Sequence, residues 1–481
     1  MTTVGVRAVA NFVGGRWATA EGAGTTAIVD PSTGQAFAEA PVSGQADLDD
    51  AFGAAAAAYP RWRETTPRQR GRALLRIADA LEARADEFVD EECRNTGKPR
   101  VSMRDEELPH VVDTIRFFAG AARLLDGDAA GEYVAWHTSF VRREPVGVVA
   151  QMTPWNYPLM MSVWKWAPAL AAGNTVVQKP AETTPLTSLL LAELMAEILP
   201  PGVFNVVCGD RSTGAAMVRH PVPAMVGITG SVRTGRQVMA GAAMDLKRLH
   251  LELGGNAPVI VLDDADLDVA VPGIRDAAYF NAGQSCTAAS RVLAGAGVHD
   301  DLVVALAEAA RATHTAPPDD DTAYHGPLNN PQQLARVAGL VDRRSARAEV
   351  VAGGAPLSRA GYFYPPTVMA GVEQHDELVR EEVFGPVISV QRVSGEDDAV
   401  ALANDSAYAL GASVWTRDHP RAMRLARAID TGAVWVNCHS VLATEMPHGG
   451  ARHSGFGSEL SRHALADYTR LKHVMSRIDL P

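Results

Sequence analysis

Hydrophobic and polar positions follow two different rhythms along this chain. Between 44 and 125, Ala-rich runs such as DLDDAFGAAAAAYPRW and RGRALLRIADALEARADEFVDEE place apolar residues three and four apart, the spacing of one helix face. This predicts a series of amphipathic surface helices. Over 132–150, EYVAWHTSFVRREPVGVVAQ changes to short β-branched and aromatic alternation, which predicts a hairpin or edge strands that could form an assembly arm. From 146 the chain alternates strand and helix: VGVVAQM, a helix over 158–172, NTVVQK, a helix over 185–199, then FNVVCG. Repeated alternation of this kind predicts a parallel sheet covered by helices, with ligands bound beyond the carboxyl ends of the strands.

After about 252 a second set begins with APVIVLDD, a helix near 268–282, SRVLAGAG and a helix near 300–312, and strands recur through ISVQRV, ASVWT and AVWVN. The fold class is therefore α/β with two such units. A length of 481 residues agrees, because one compact core rarely serves so long a chain. No internal repeat or low-complexity tract interrupts the pattern, and APPDDDTA reads as an exposed loop.

Charge narrows the function classes. The 44 Lys plus Arg against 56 Asp plus Glu give a net charge of -12 with no compensating basic block, which argues against nucleic acid or an acidic membrane as partner. The opening MTTVGVRAVANFVGGRW lacks a charged segment followed by a long apolar run, and no later stretch offers about 18 uninterrupted apolar residues, so a cytoplasmic location is expected. Four cysteines, Cys93, Cys208, Cys286 and Cys438, are widely spaced with no Cys-x-x-Cys pair. That excludes a disulfide framework or structural zinc site as the organising principle and leaves a thiol free for chemistry.

Five segments carry candidate chemistry, and each alone has a plainer structural reading. FNAGQSCTAASRV places Cys286 after a glycine turn and before small residues, where the thiol is either exposed on a loop or a small buried apolar group. LELGGNAPVIV sets Glu252 before two glycines that let backbone approach a ligand, or simply make a tight turn. MTPWNYPLMM and NTVVQKPAE offer Asn156 as an amide donor to an oxyanion and Lys179 with Glu182 as ribose ligands; both are also ordinary turns at strand ends. GITGSVRTG, with Gly230, Ser231 and Gly235, suits a helix N-terminus facing a pyrophosphate, although it is not G-x-G-x-x-G.

Taken together, PWNYP, WKWAPALAAGN, KPAE, TGSVRTG, LELGGN, FNAGQSC, EEVFGP and HGGARHSGFG occur in order, and the chain resembles the aldehyde dehydrogenase superfamily from FVGGRW near 12 to DYTRLKHV near 474. The resemblance implies a Rossmann-type dinucleotide-binding domain over 1–121 and 145–251, a catalytic α/β domain over 252–447, and a small β oligomerisation arm and tail over 122–144 and 448–481. It implies Cys286 as nucleophile, Glu252 as general base, an oxyanion site made by Asn156 and the Cys286 amide, and Lys165 with Glu459 as a proton-relay pair behind the base. Thr153, Pro154, Trp155, Lys179, Glu182, Gly230, Ser231, Gly235, Leu253, Glu382 and Phe384 fall at cofactor positions, with NAD expected and NADP as the alternative. No metal is required.

A finer similarity in IRFFAGAAR, GDAAGEY, HTS and WVNCHSVLATEMPHGG points to bacterial γ-aminobutyraldehyde dehydrogenases and the related betaine and aminoaldehyde enzymes. Tyr157, Trp164, Glu107, Leu442 and Glu445 then stand at substrate positions. The chain departs from the group at Cys438 to Leu442, where several relatives place an aromatic against the cation. Betaine aldehyde, succinate semialdehyde or a general aldehyde remain alternatives, and a catalytically silent NAD-binding protein is a remote one. A homodimer or tetramer is expected, since a swapped arm would leave unpaired strand edges in a monomer.

Overall fold

The computed structural model describes residues 6–21 and 24–479. Its first sheet has eight strands in the spatial order Gly455–Phe456, Arg248–Glu252, Met225–Thr229, Val148–Met152, Thr175–Lys179, Phe204–Val206, Asn11–Val13 and Arg16–Ala18. The five central strands from Arg248–Glu252 to Phe204–Val206 run parallel. Every residue of Val148–Met152 and Thr175–Lys179 is buried, as expected of parallel strands covered on both faces.

The second sheet orders Glu349–Ala352, Thr367–Ala370, Val387–Val393, Ala289–Gly295, Ala257–Val261, Gly411–Trp415 and Ala433–Val436, all parallel except the first. A third sheet of three antiparallel strands, Gly131–Val134, His137–Pro145 and Thr469–Arg477, forms the arm. Among the described residues, no helix is long and apolar enough to cross a membrane.

Most predicted elements stand near their expected limits. The 44–125 region forms helices Gln45–Arg63, Pro67–Ala83, Ala85–Thr96 and Leu108–Ala121. Helix Pro158–Ala172 is buried at every position; Pro158 starts it where a missing N–H costs nothing, and Gly173 ends it at a left-handed φ of 99°. The expected helix near 268–282 ends at Tyr279, because Asn281, Ala282 and Gly283 all take positive φ and turn the chain toward Cys286.

The 448–481 segment is divided. Only Thr469–Arg477 joins the arm; Gly455–Phe456 pairs antiparallel with Arg248–Glu252 at the edge of the first sheet, opposite Glu252 itself. The pairing relies on glycine, since a Cβ at Gly455 would lie 2.0 Å from the Leu251 carbonyl oxygen.

Candidate active site

Between the carboxyl ends of the two parallel sheets lies a cavity of about 1330 Å³, wide enough for a dinucleotide and a small molecule together. Cys286, Asn156, Pro154, Trp155, Tyr157 and Trp164 open onto it. So do Gly230, Ser231, Leu253, Glu382, Phe384, Glu107 and Leu442.

The loop that presents Cys286 is held by amides. Asn281 Nδ2 donates to the Asn156 carbonyl at 2.9 Å, Asn156 Nδ2 to the Gln284 carbonyl at 2.9 Å, and the Asn329 N–H to Gln284 Oε1 at 2.9 Å. Each amide therefore fixes the next segment's backbone, and Asn156 keeps a second N–H. A Cβ at Gly255 would lie 2.1 Å from the Cys286 carbonyl oxygen, so the LELGG turn packs directly on this loop. The thiol's pKa is raised, first by burial and then by repulsion from Glu252 and Glu382; the backbone N–H groups of Cys286 and Thr287 act the other way. At rest the sulfur carries its proton.

Glu252 ends the strand Arg248–Glu252 and is buried behind the cavity wall. Lys165 and Glu459 form an ion pair that is buried on both sides, not one at the surface.

One end of the cavity suits a dinucleotide. Ser231 caps helix Val232–Ala242 by accepting from the Thr234 N–H at 3.3 Å, which leaves a helix N-terminus facing the cavity for a phosphate. Thr229 Oγ1, on the same wall, is buried without a partner. Trp155 and Phe384 meet edge to face at 5.3 Å, giving flat apolar surfaces for a ring. A Cβ at Gly254 would lie 2.2 Å from Glu382 Oε2, so this glycine makes room for the carboxylate, whose pKa burial pushes up to about 7. A carboxylate that can accept from ribose hydroxyls, a helix N-terminus and an aromatic pair are groups that fit NAD.

Several expected ligands stand outside the cavity wall. Gly235 faces protein: a Cβ there would lie 2.6 Å from Leu253 Cδ1, so the glycine lets the helix pack on Leu253. Thr153 and Lys179 are buried at the ends of their strands, and Lys179 Nζ donates to the Pro180 and Gly209 carbonyls at 2.9 and 3.0 Å. Glu182 is exposed just beyond. Glu445 is exposed on the loop after Leu442 and does not reach the cavity.

The other end is walled by aromatics and carboxylates. His110, Trp164 and His448 follow one another edge to face, with ring centroids 5.9 and 5.4 Å apart. Glu107 sits on a π-helical turn, Met103–Glu107, which the helical periodicity did not reveal; it is buried, not solvated. Its Oε2 accepts from Lys98 Nζ at 2.5 Å, while Oε1 has no partner. Burial raises its pKa to about 7; Lys98 opposes this and Glu92 adds to it. Glu106 and Asp276 also line this end. Sequence reasoning missed His110, Glu106 and Asp276, which have no motif and are gathered only by folding, and it quoted His448 within HGGARHSGFG without giving it a role.

Comparisons with known proteins agree with this geometry. The family model described as "Aldehyde dehydrogenase family" matches residues 17–474. The chain is 38% identical over 470 residues to the betaine aldehyde dehydrogenase of Mesorhizobium japonicum, covering 96% of each chain. It is 40% identical over 482 residues to the fluoroacetaldehyde dehydrogenase of Streptantibioticus cattleyicolor, covering 97% of this chain and 94% of that one. Its fold matches a point mutant of Staphylococcus aureus betaine aldehyde dehydrogenase in complex with NAD+ at a TM-score of 0.95, with 32% identity and 98% of each chain covered. With sequence and fold matched along almost its whole length, the chain belongs to the aldehyde dehydrogenase family, oxidoreductases that act on aldehydes with NAD or NADP.

Proposed function

We propose that this enzyme oxidises an ω-aminoaldehyde, 4-aminobutyraldehyde or 3-aminopropionaldehyde, to its acid, with Cys286 as nucleophile and Glu252 as base. Attack by the Cys286 sulfur on the aldehyde carbon makes a tetrahedral oxyanion, which the Cys286 backbone N–H and the Asn156 N–H not given to the Gln284 carbonyl would stabilise in this reading. Because burial raises the thiol's pKa, the sulfur must give up its proton to solvent before it attacks, which leaves Glu252 ionised for the later step. Ser231, Glu382 and the Trp155–Phe384 pair would hold NAD, which would supply the hydride acceptor that turns the adduct into a thioester. Glu252 then takes a proton from the water that attacks the thioester, and the acid leaves. The first sheet serves as the cofactor-binding unit and the second as the catalytic unit in this reading, with the arm joining copies into a dimer or tetramer.

The observation that carries the substrate is the charge of the wall. Glu106, Glu107, His110, Tyr157, Met160, Met161 and Trp164 line this side; Lys98, behind them, pairs with Glu107 and lies 4.3 Å from the Tyr157 ring, while the pKa of Glu106 is raised first by burial and then by Asp276. Carboxylates with aromatic faces below suit a cation held several methylenes from its aldehyde, whereas a semialdehyde carboxylate would be repelled. The relative named for betaine aldehyde supports a cationic substrate and the one named for fluoroacetaldehyde a small neutral one. Leu442 at this wall offers no aromatic face to a trimethylammonium, which favours the primary amine.

The test compares kcat/KM for 4-aminobutyraldehyde and butyraldehyde in wild type and Glu107→Gln. A tenfold preference for the amine, equal to about 1.4 kcal/mol, is expected and should largely vanish in the variant. Only the carboxylate form attracts a cation, and burial lifts Glu107 to about 7, so the preference should grow as pH rises through neutrality. Equal or better use of butyraldehyde would make this a general aldehyde dehydrogenase.

NAD should be preferred over NADP, because the exposed Glu182 beyond the Thr175–Lys179 strand would repel a 2′-phosphate. Higher kcat/KM with NADP would refute this.

A further inference from the structure

Behind Glu252 lies a buried polar cluster that the steps above leave unused. His250 and Glu252 are two apart on the strand Arg248–Glu252, so their side chains leave the same face. His250 is 1% exposed, and neither ring nitrogen has a hydrogen-bond partner. Its Nε2 lies 3.9 Å from Glu252 Oε1 and 3.9 Å from Glu459 Oε1. Glu252 Oε1 and Glu459 Oε2 are also buried without partners. Buried polar atoms are nearly always paired, and here a shift of about 1 Å would bring the imidazole into hydrogen-bond contact with either carboxylate.

The space for this ring is made by glycines of the HGGARHSGFG run. A Cβ at Gly457, where φ is +97°, would lie 2.4 Å from His250 Cδ2, and one at Gly449 would lie 3.2 Å from Glu252 Oε1. Side chains at these positions would crowd the histidine and the base. Lys165, from helix Pro158–Ala172, pairs only with Glu459 among the described residues. His448 acts on Glu459 from the loop before it. Tyr468 meets the His250 ring at 6.5 Å, and its hydroxyl accepts from Gln151 Nε2 at 3.3 Å. Of these groups, His250 is the one within reach of both carboxylates.

We propose that His250 is a positioning residue for Glu252: its Nε2–H is shared between Glu252 and Glu459, ties the base to the Lys165–Glu459 pair, and sets the pH at which Glu252 accepts a proton. The inference rests on the reading of Glu252 as base. In deacylation the water oxygen bonds to the thioester carbon, the carbon–sulfur bond breaks, the water proton goes to Glu252 and sulfur leaves as thiolate; His250 keeps its own proton. A hydrogen bond donated to a carboxylate favours its charged form. Loss of the imidazole should therefore remove a bond that favours the carboxylate and move the acid limb of deacylation to higher pH.

Hydrolysis of p-nitrophenyl acetate separates the steps without knowledge of the natural aldehyde, since the p-nitrophenolate burst reports acylation of Cys286 and the steady rate reports deacylation. His250→Leu should keep the burst, lose about tenfold in steady rate, and shift the acid-limb midpoint upward. His250→Gln, whose amide nitrogen can occupy nearly the place of Nε2, should recover most of the rate. Wild-type burst, steady rate and midpoint in both variants would overturn the inference, as would a parallel fall of burst and steady rate with an unmoved midpoint. Glu252→Gln is measured beside them. A retained burst with lost steady rate there upholds the base independently of His250, and wild-type turnover there overturns both readings.

Discussion

Cys286 and Glu252 are adjacent in space, yet their removal should leave different kinetic traces. With Cys286 as the proposed nucleophile, Cys286→Ala should abolish aldehyde oxidation while NAD binding stays near wild type, because the covalent intermediate would form on the sulfur and the cofactor would be held by other groups. Isothermal titration with NAD beside a turnover assay checks this, and substantial remaining turnover would remove Cys286 as nucleophile. Glu252→Gln should give a single burst of NADH and then slow turnover, since thioester formation survives when its hydrolysis does not. A lost burst would show instead that the thiol, held protonated by burial and by Glu252's own charge, needs Glu252 to ionise it. The motifs around both residues were legible in the sequence because glycines and turn residues mark where backbone must bend or approach closely. His250 was not. It lies only two positions from Glu252, but a histidine in an apolar strand gives no sign that its neighbours will include Glu459, brought in from more than two hundred residues away.

At the scale of elements, periodicity located helices and buried strands well because burial on one face or on both leaves a regular trace. It failed where backbone conformation changes locally. The π-helical turn Met103–Glu107 inserts into a helical region and swings Glu107 into the cavity wall, while the positive φ of Asn281 and Ala282 ends a helix early to lift the nucleophile loop. The small strand Gly455–Phe456 was also beyond reach, since a two-residue strand has no period; its placement depends on the partner Arg248–Glu252. The turn between that partner and Ala257–Val261 joins Glu252 to the loop that carries Cys286. Gly255→Ala tests the coupling. The new Cβ would meet the Cys286 carbonyl oxygen at 2.1 Å, and a backbone atom cannot move aside as a flexible side chain can. We expect a loss of stability of about 1–3 kcal/mol, seen in thermal melting, and a fall in the Cys286 acylation burst in the protein that remains folded. A full burst at unchanged Tm would show that the loop and turn move independently.

For the whole molecule, the arm is the feature that a single chain leaves incomplete. His137–Pro145 is paired on both sides, which makes Gly131–Val134 and Thr469–Arg477 the two outer edges of the sheet. Both carry exposed apolar side chains, with Tyr133 75% and Leu471 64% exposed and Met475 following on the same strand; Trp136 in the connecting turn is 66% exposed. Open strand edges with apolar side chains favour pairing with another chain. A second copy with the same surface would cover them symmetrically and form a closed dimer, and two dimers a tetramer. Sedimentation at micromolar concentration should therefore give a dimer or tetramer, and Leu471→Asp should shift it toward smaller species by placing a charge where the apolar contact forms. The amide bonds that hold the Cys286 loop to Asn156 form within one chain, so the dissociated variant should lose thermal stability before it loses the capacity for a Cys286 burst. A monomeric wild type, or an oligomer indifferent to Leu471→Asp, would place the assembly surface elsewhere.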